Sequence, residues 1–310
     1  MKKTLSYLLI ICGLFAASCA SGPRPIVVNV PEGEVVDQAV PLTYGASCPT
    51  AQSSRLEGST RVFTLGEGSH KIERVPKRLV CMDLDGTLTQ HRTPLDSAAR
   101  EALDKLGERY KLLMVGGGNA TRIHNQMGGY PIEILGNYGM SHGDVVDGEW
   151  KIVRETAVPI DTAFFLEKTG YFREKYGYTE YYGEPLEYHP SGMVTFGLAG
   201  TKAPVEVKLA FDPDKAKRRA MYPEVCEVFK DYSVFIGGTT SFDFTPKEYN
   251  KYSAIIAYAA EHGYTPEEVI FFGDDMGEGG NDSHVRLGGL DYILVEDYRD
   301  FPALSAFLLD

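Results

Sequence analysis

The chain has few cysteines, a deficit of positive charge and no long apolar run, and these absences exclude several classes of protein. Only three of its five cysteines lie beyond residue 19, and Cys48, Cys81 and Cys226 have neither the spacing of a metal site nor that of a disulfide framework. Acidic residues outnumber basic ones by 43 to 31, so the basic surface that nucleic-acid binding requires is missing. We therefore expect no nucleic-acid partner.

The longest apolar stretch, residues 5–17, follows two lysines and is too short for a transmembrane span. Small residues come after it, which is the order of a secretory signal. The ending AASC at residues 16–19 resembles a bacterial lipobox, which implies removal of residues 1–18 and lipidation of Cys19. An ordinary signal peptide and a short membrane anchor are the alternatives. Because Ala20 is not acidic, we expect an exported protein whose lipid anchor holds it at the periplasmic face or outer surface of the outer membrane, and no other membrane contact.

The rest of the sequence changes character twice. Residues 20–77 are rich in proline, glycine, serine and threonine, with short β-like stretches at 26–30 and 61–65. From residue 78 onward, apolar strands alternate with amphipathic helices, which predicts a parallel α/β sheet. An α+β pattern interrupts this alternation and predicts an inserted lobe. The predicted organisation is a tether over 19–77, a core over 78–156, a cap over 157–238 and the remaining core over 239–310.

Helices and strands follow from periodicity and from capping residues. Strands are predicted at RLVCMD, KLLMV, IEILGN, VIFFG and YILV in the core, and at TEYYGEPLEYH, GMVTFGLA, YSVFIGG and TSFDF around the cap. Helices are predicted over 95–108, 119–127, 158–176 and 213–230, after Asn250 as N-cap, and at the C-terminus. The basic run KAKRR at 215–219 indicates a solvated helix face.

Two acidic segments follow predicted strands. In MDLDGTLT, Asp83 and Asp85 are two residues apart at a strand end, so their side chains point to the same side. In FFGDDMGEGGNDSH, further acidic residues follow another apolar strand, whose loop opens at the same carboxyl edge of a parallel sheet. The alternatives are an Asp-Gly turn and a solvated acidic loop.

A third loop, MVGGGNATR, has three consecutive glycines after a strand. It matches neither GxGxxG nor GxxxxGK[ST], so no standard nucleotide-binding motif is present. The glycines indicate either a tight turn or a cradle in which backbone N–H groups hold a phosphate.

The run hydrophobic-D-x-D-G-T-L-T resembles the first motif of the haloacid dehalogenase superfamily, whose phosphotransferases form an aspartyl phosphate. The resemblance implies that Asp83 is the nucleophile and Asp85 the general acid and base. It also implies that Lys251 neutralises charge between nucleophile and phosphate. Mg²⁺ would be held by Asp83, the backbone oxygen of Asp85 and Asp274, with Asn281 and Asp282 orienting its ligands or waters.

A narrower resemblance, to eukaryotic-type phosphomannomutases, rests on TLTQHR, GG at 116–117, GGTTSFDFTP and FFGDDMGEGGND. It implies a Rossmann-like parallel core with a type IIB (C2B) cap, and sugar-phosphate contacts from Arg92, Ser241 and Asp243. Two places at which those enzymes carry cap arginines here hold Tyr182 and Met193.

The glycine loop also departs from that family. Its second motif is G-G-S-D, and the position of the serine hydroxyl is Gly118 in this chain. The phosphate would then depend on the backbone of Gly117 and Gly118, on the Asn119 amide or on Thr121. Because the cap lacks two of the arginines with which those enzymes hold a second phosphate, we expect a Mg²⁺-dependent phosphatase that acts on a small phosphorylated metabolite, such as a sugar phosphate. A phosphosugar mutase and a surface binding protein with little or no turnover are the alternatives.

Overall fold

The computed structural model describes residues 77–309 and the backbone of four strands that precede them. These are β1 (Ile26–Val30), β2 (Ser53–Glu57), β3 (Thr60–Thr64) and β4 (Gly66–Ile72). They form one sheet in the order β2-β3-β1-β4, so the two β-like stretches of the sequence are strands of the same sheet. Cys19 and the signal sequence lie outside the described residues. No described helix is both long enough and apolar enough to cross a membrane.

The first half of the core alternates strands and helices as predicted. Its elements are β5 (Leu79–Met82), α1 (Ser97–Gly107), β6 (Lys111–Val115), α2 (Ala120–Gln126), β7 (Glu133–Gly136), β8 (Ser141–Val146) and β9 (Glu149–Glu155). All four residues of β5 are buried, which is expected of a central parallel strand. The antiparallel strands β8 and β9 were not predicted, and they extend the sheet beyond β7.

The inserted cap packs three helices on a small antiparallel sheet. Its elements are α3 (Thr162–Tyr176), β10 (Leu186–Tyr188), β11 (Val194–Gly197), α4 (Val205–Phe211), α5 (Ala216–Val228), β12 (Tyr232–Gly237) and β13 (Ser241–Pro246). The strand order is β10-β11-β13-β12. Helix α4 was not predicted, and the strand patterns before it are shorter than expected. A cluster of buried phenylalanines, including Phe165, Phe229 and Phe244, fills the space between helices and sheet.

The basic run at the start of α5 is not a uniformly solvated face, and the expectation is wrong for Arg218. Its side chain is fully buried. Nε donates to a carboxylate oxygen of Asp212 at 2.8 Å, and Nη1 donates to the carbonyl of Gly237 at 2.7 Å. A buried guanidinium is tolerated because its donors are paired in this way. Arg218 therefore ties the start of α5 to the end of β12.

The chain then returns to the core through α6 (Lys251–Glu261), β14 (Val269–Gly273), α7 (Ser283–Leu287), β15 (Asp291–Leu294) and α8 (Phe301–Ser305). Asn250 caps α6 as predicted, since its side chain accepts the N–H of Ser253 at 2.9 Å. The sheet order is β15-β14-β5-β6-β7-β8-β9, and its first five strands are parallel. The predicted α/β class with a mostly parallel central sheet is confirmed. The loops after β5, β6 and β14 consequently open at one edge.

Candidate active site

Asp83, the first residue after β5, contacts a buried lysine. Lys251 begins α6, is fully buried, and places Nζ 2.9 Å from Oδ1 of Asp83 and 2.6 Å from Oδ1 of Asp282. Burial alone would lower the pKa of Lys251, but the two carboxylates outweigh it and raise that pKa. Lys251 is therefore held as a cation against the side chain of Asp83.

Three carboxylates converge at this point. Asp83, Asp274 and Asp282 each offer an oxygen, and these oxygens lie within 4.8 Å of one another. Burial raises the pKa of Asp83 to about 6, with Lys251 opposing the rise and Asp282 adding to it. Burial and the neighbouring carboxylates also raise the pKa of Asp274 well above its ordinary value. Lys251 supplies one positive charge against three carboxylates, and the remaining charge matches one divalent cation.

The oxygens differ in how many partners they already have. Asp282 accepts from Lys251 through Oδ1 and from the N–H of Asp275 through Oδ2 at 3.0 Å, so both of its oxygens are engaged. By contrast, the buried Oδ1 of Asn281 has no hydrogen-bond partner. Asp83 and Asp274 thus provide carboxylate oxygens of the kind that Mg²⁺ prefers, and the unpartnered Oδ1 of Asn281 is a further acceptor in the loop that carries Asp274. The residues present fit such an ion, and Asp282 holds Lys251 and the loop in place.

Asp85 lies in a different environment from Asp83. One of its oxygens accepts the N–H of Arg92 at 2.6 Å and the side-chain amide of Gln126 at 2.7 Å. The other lies 3.5 Å from Nη2 of Arg122. Burial would raise the pKa of Asp85, but these donors and nearby positive charges outweigh it and lower that pKa. The environments of Asp83 and Asp85 shift the pKa values of the two carboxyl groups in opposite directions, which suits them to different chemical roles.

The turn after Asp85 brings the metal loop close to the motif. Gly86 has a φ of +95°, a conformation that favours glycine, and a Cβ there would collide with the carboxylate of Asp274. Thr87 donates from Oγ1 to Asp274 at 3.4 Å. The glycine of the motif is thus required both by the backbone and by the space that Asp274 occupies.

The glycine loop lies beside this cluster. A Cβ on Gly116 would lie 3.8 Å from Oδ1 of Asp83, and one on Gly117 would lie 2.7 Å from the hydroxyl of Tyr138. Within residues 77–309, no group accepts a hydrogen bond from the backbone N–H of Gly117 or Gly118. Asn119 instead caps α2 by accepting the N–H of Thr121 at 2.9 Å, and its amide donates to Ser141 at 3.3 Å. The loop therefore offers backbone N–H groups, while the Asn119 side chain is already used.

Comparison with known proteins agrees with this geometry. A family model described as haloacid dehalogenase-like hydrolase matches residues 198–282. The phosphomannomutase of Saccharomyces cerevisiae is 28% identical over 229 residues, which cover 68% of this chain and 85% of that protein. The phosphomannomutase of Schizosaccharomyces pombe is 25% identical over 227 residues, covering 68% and 86%.

Among solved structures, an N-terminally truncated IMP-nucleotidase of Plasmodium falciparum matches with a TM-score of 0.56 at 15% identity. The match covers 76% of this chain and 71% of that one, and at this identity it shows a similar fold and no more. The chain thus shares its fold with that nucleotidase. The two relatives compared by sequence are phosphomannomutases.

The cap brings two more of the predicted residues toward the core. Asp243, on β13, accepts a hydrogen bond from Oγ1 of Thr195 at 2.8 Å, and Ser241 donates to the carbonyl of Gly237 at 3.0 Å. The pKa of Tyr138 is raised by burial, by Asp243 of the cap and by Asp83 of the core. Tyr138 therefore lies close to charged groups of both parts of the protein. Arg92 remains exposed and contributes its backbone N–H.

The cap also contacts the metal loop directly. Nζ of Lys215 lies 2.6 Å from Oδ2 of Asp275, and the N–H of Ile236 donates to the carbonyl of Gly279 at 2.7 Å. The cap therefore lies closed over the carboxyl edge of the core sheet.

Sequence reasoning missed four side chains that contact this site: Arg122, Gln126, Tyr138 and Lys215. The first two are four residues apart on α2, so they share a helix face, and that spacing was a usable signal. Tyr138 carried no such signal. Its φ of +56° lies in the left-handed region, which is uncommon for tyrosine and appears only in the folded backbone.

Proposed function

We propose that the chain is a Mg²⁺-dependent phosphatase of the haloacid dehalogenase superfamily that hydrolyses a small phosphomonoester through an aspartyl phosphate. The observation that carries this proposal is the cluster of Asp83, Lys251 and Asp274 at the sheet edge with Asp85 beside it. A sugar phosphate suits the site, because Asp243 and Ser241 bring polar groups from the cap.

In the first step, a carboxylate oxygen of Asp83 attacks phosphorus and the bond to the leaving alcohol oxygen breaks. Asp85 gives its proton to that oxygen. A phosphate dianion beside Asp85 raises the pKa of its carboxyl group, so a group that is ionised in the free protein can carry a proton in the complex. Lys251 stabilises the negative charge that Asp83 and the phosphate bring together.

In the second step, Asp85 removes a proton from water, and the resulting oxygen attacks the aspartyl phosphate. The bond between phosphorus and the Asp83 oxygen breaks, which releases phosphate and regenerates the carboxylate. Asp83, Asp274, Asn281 and the backbone oxygen of Asp85 would hold Mg²⁺. When bound, the ion neutralises the repulsion between an anionic nucleophile and an anionic substrate.

A phosphosugar mutase is the second candidate, because the relatives are phosphomannomutases. A mutase must bind phosphate at both ends of a sugar. Two of the three cap arginines are buried and used within the cap: Arg173 donates to the carbonyls of Leu198 and Tyr178, and Arg218 to Asp212. That leaves only Arg219 for a second phosphate, so the cap supports hydrolysis over isomerisation.

The test is phosphate release from a panel of phosphomonoesters, with and without Mg²⁺, by residues 24–310. We expect Mg²⁺-dependent release that falls by several orders of magnitude in Asp83→Asn, whose side chain keeps the size but loses the negative charge. Interconversion of sugar 1- and 6-phosphates without release would favour the mutase. Binding of phosphate compounds without either reaction would contradict both enzymes and favour a surface binding protein.

We also propose that the protein is exported and anchored through a lipid on Cys19. The support is the charged, apolar and small-residue order of residues 1–19. The test is mass spectrometry and fractionation of the full chain beside Cys19→Ser. We expect a diacylglyceryl adduct and membrane recovery that the variant lacks, and a soluble, unmodified wild-type protein would contradict the anchor.

A further inference from the structure

A guanidinium occupies the space above the glycine loop. Gly118 lies just before α2, and Arg122 lies within that helix. A Cβ built on Gly118 would collide with Nη2 and Nε of Arg122 and would come within 2.6 Å of its Cζ. The absence of a side chain at residue 118 therefore makes room for the charged end of Arg122.

The neighbours of Arg122 leave one edge of the guanidinium open. Nη1 donates to Oε1 of Gln126 at 2.8 Å, and Nη2 lies 3.5 Å from Oδ2 of Asp85. Among the described residues, nothing accepts a hydrogen bond from Nε. The edge formed by Nε and Nη2 is the one that binds two oxygens of a phosphate or carboxylate at once.

This edge borders the residues between which the phosphate would react. During transfer, phosphorus lies between Asp83 and the leaving oxygen, which Asp85 protonates. Nη2 of Arg122 lies 3.5 Å from Oδ2 of Asp85, and Nε and Nη2 lie where a Cβ of Gly118 would be. Two residues before Gly118 in the same loop, a Cβ on Gly116 would lie 3.8 Å from Oδ1 of Asp83, so the loop and the guanidinium flank both carboxylates.

We propose that Arg122 binds the non-bridging oxygens of the transferred phosphate and performs the task for which Gly118 lacks a hydroxyl group. The inference rests on the proposed phosphatase function, because it names a further substrate-binding residue of the same site. Arg122 acts with the backbone N–H groups of the loop, and Gln126 positions it and Asp85 together.

The structure predicts an unusual interaction between two substitutions. Arg122→Ala should lower kcat/KM by about 10- to 100-fold, as expected for the loss of a charge-assisted hydrogen bond to an anion. Gly118→Ser alone should also lower it, because the new side chain displaces the guanidinium. In the double variant, however, the serine enters the vacated space and supplies a hydroxyl donor. Gly118→Ser should therefore raise activity when Arg122 is already absent.

The matched control is Arg109→Ala, which removes an exposed arginine just before the amino end of β6, at the opposite edge of the sheet. It should leave kcat/KM unchanged. Arg122→Lys should lie between wild type and alanine, because it keeps the charge and loses the paired donors. A kcat/KM of Arg122→Ala equal to that of the control, or a Gly118→Ser substitution that is equally harmful in both backgrounds, would overturn the assignment.

A binding measurement separates this inference from the proposed function. Calorimetric titration of inorganic phosphate in the presence of Mg²⁺ needs no turnover. We expect wild type and Arg109→Ala to bind phosphate alike and Arg122→Ala to bind it about 10-fold or more weakly. This result without hydrolysis of any ester would remove the phosphatase and keep the phosphate site. Equal binding by Arg122→Ala, or no binding by wild type, would refute the site.

Discussion

Replacing Gly86 by alanine should damage the metal site through two separable effects. The first is local, because alanine at a φ of +95° is strained by roughly 1–2 kcal/mol. The second is a collision, because the new Cβ overlaps the carboxylate of Asp274. Asp274 must move away from Asp83, and the site then loses one of its oxygen ligands. Since loss of an outer-shell partner alone costs about 10- to 100-fold in metal affinity, we expect at least that for Gly86→Ala.

Gly148→Ala is the control that separates the two effects. Gly148 lies in the turn between β8 and β9 with a φ of +79°, and a Cβ there would meet nothing within 4 Å. Gly148→Ala should lose about 1–2 kcal/mol of unfolding free energy in denaturant titrations, and Gly86→Ala should lose at least as much because of the collision. Only Gly86→Ala should need at least tenfold more Mg²⁺, both for half-maximal phosphate release and for half of the Mg²⁺-induced rise in Tm. Equal Mg²⁺ requirements in the two variants would refute the argument that Asp274 fills the space beside Gly86.

Three further predictions concern one buried carboxylate at the amino end of β7 and two groups around the site. Burial would raise the pKa of Glu133, but hydrogen bonds from His142, Lys111 and Tyr258 outweigh it and lower that pKa from 4.5 to about 2. The stabilisation of the folded state by ionised Glu133 is present above pH 4.5 and is lost as the pH falls through about 2. Glu133→Gln should therefore remove about 2 kcal/mol of pH-dependent stability in denaturant titrations. An unchanged dependence of stability on pH would contradict this prediction. Lys215→Met should raise KM about two- to fivefold in steady-state assays with kcat little changed, because its partly buried ion pair with Asp275 holds the cap on the metal loop. An unaltered KM would count against that role. Tyr138→Phe keeps the stacking on Phe235 of the cap and loses the hydroxyl beside Gly117. The value of kcat/KM should therefore fall about 5- to 10-fold with Tm unchanged. Full activity of this variant would exclude a contact between the hydroxyl and substrate.

The parts of the fold that could be predicted are those fixed by local sequence. The buried strands β5 and β14 are continuous apolar runs, and α6 has a capping asparagine and a helical apolar pattern. Strands β8 and β9 were missed because β8 begins with the polar and small residues SHGD, and because the edge strand β9 has no buried residue, so neither forms such a run. Helix α4 has no buried residue, so it lacked the apolar face on which a prediction depends.

The candidate site likewise has residues that the local sequence predicts and residues that it does not. Spacing along the chain was enough to bring Asp83, Asp85 and the acidic loop after β14 together, because parallel strands bring their ends to one edge. The resemblance to a known family selected Asp274 within that loop. The sequence suggested Asn119 as one option for binding phosphate, whereas its side-chain oxygen accepts the N–H of Thr121 and caps α2. The position of Arg122 depends on a side-chain rotamer and on empty space at Gly118, and neither is encoded in a local pattern.

The central claim is that phosphate passes through Asp83 and that Asp85 then activates water. The most direct measurement is rapid-quench kinetics of Asp85→Asn with p-nitrophenyl phosphate, whose phenolate leaves without being protonated. The account predicts a burst of one nitrophenol per active site, slow turnover afterwards, and a phosphoryl group on the Asp83 peptide in acid-quenched samples. The absence of both the burst and the modified peptide in an Asp85→Asn protein that still binds phosphate would contradict it.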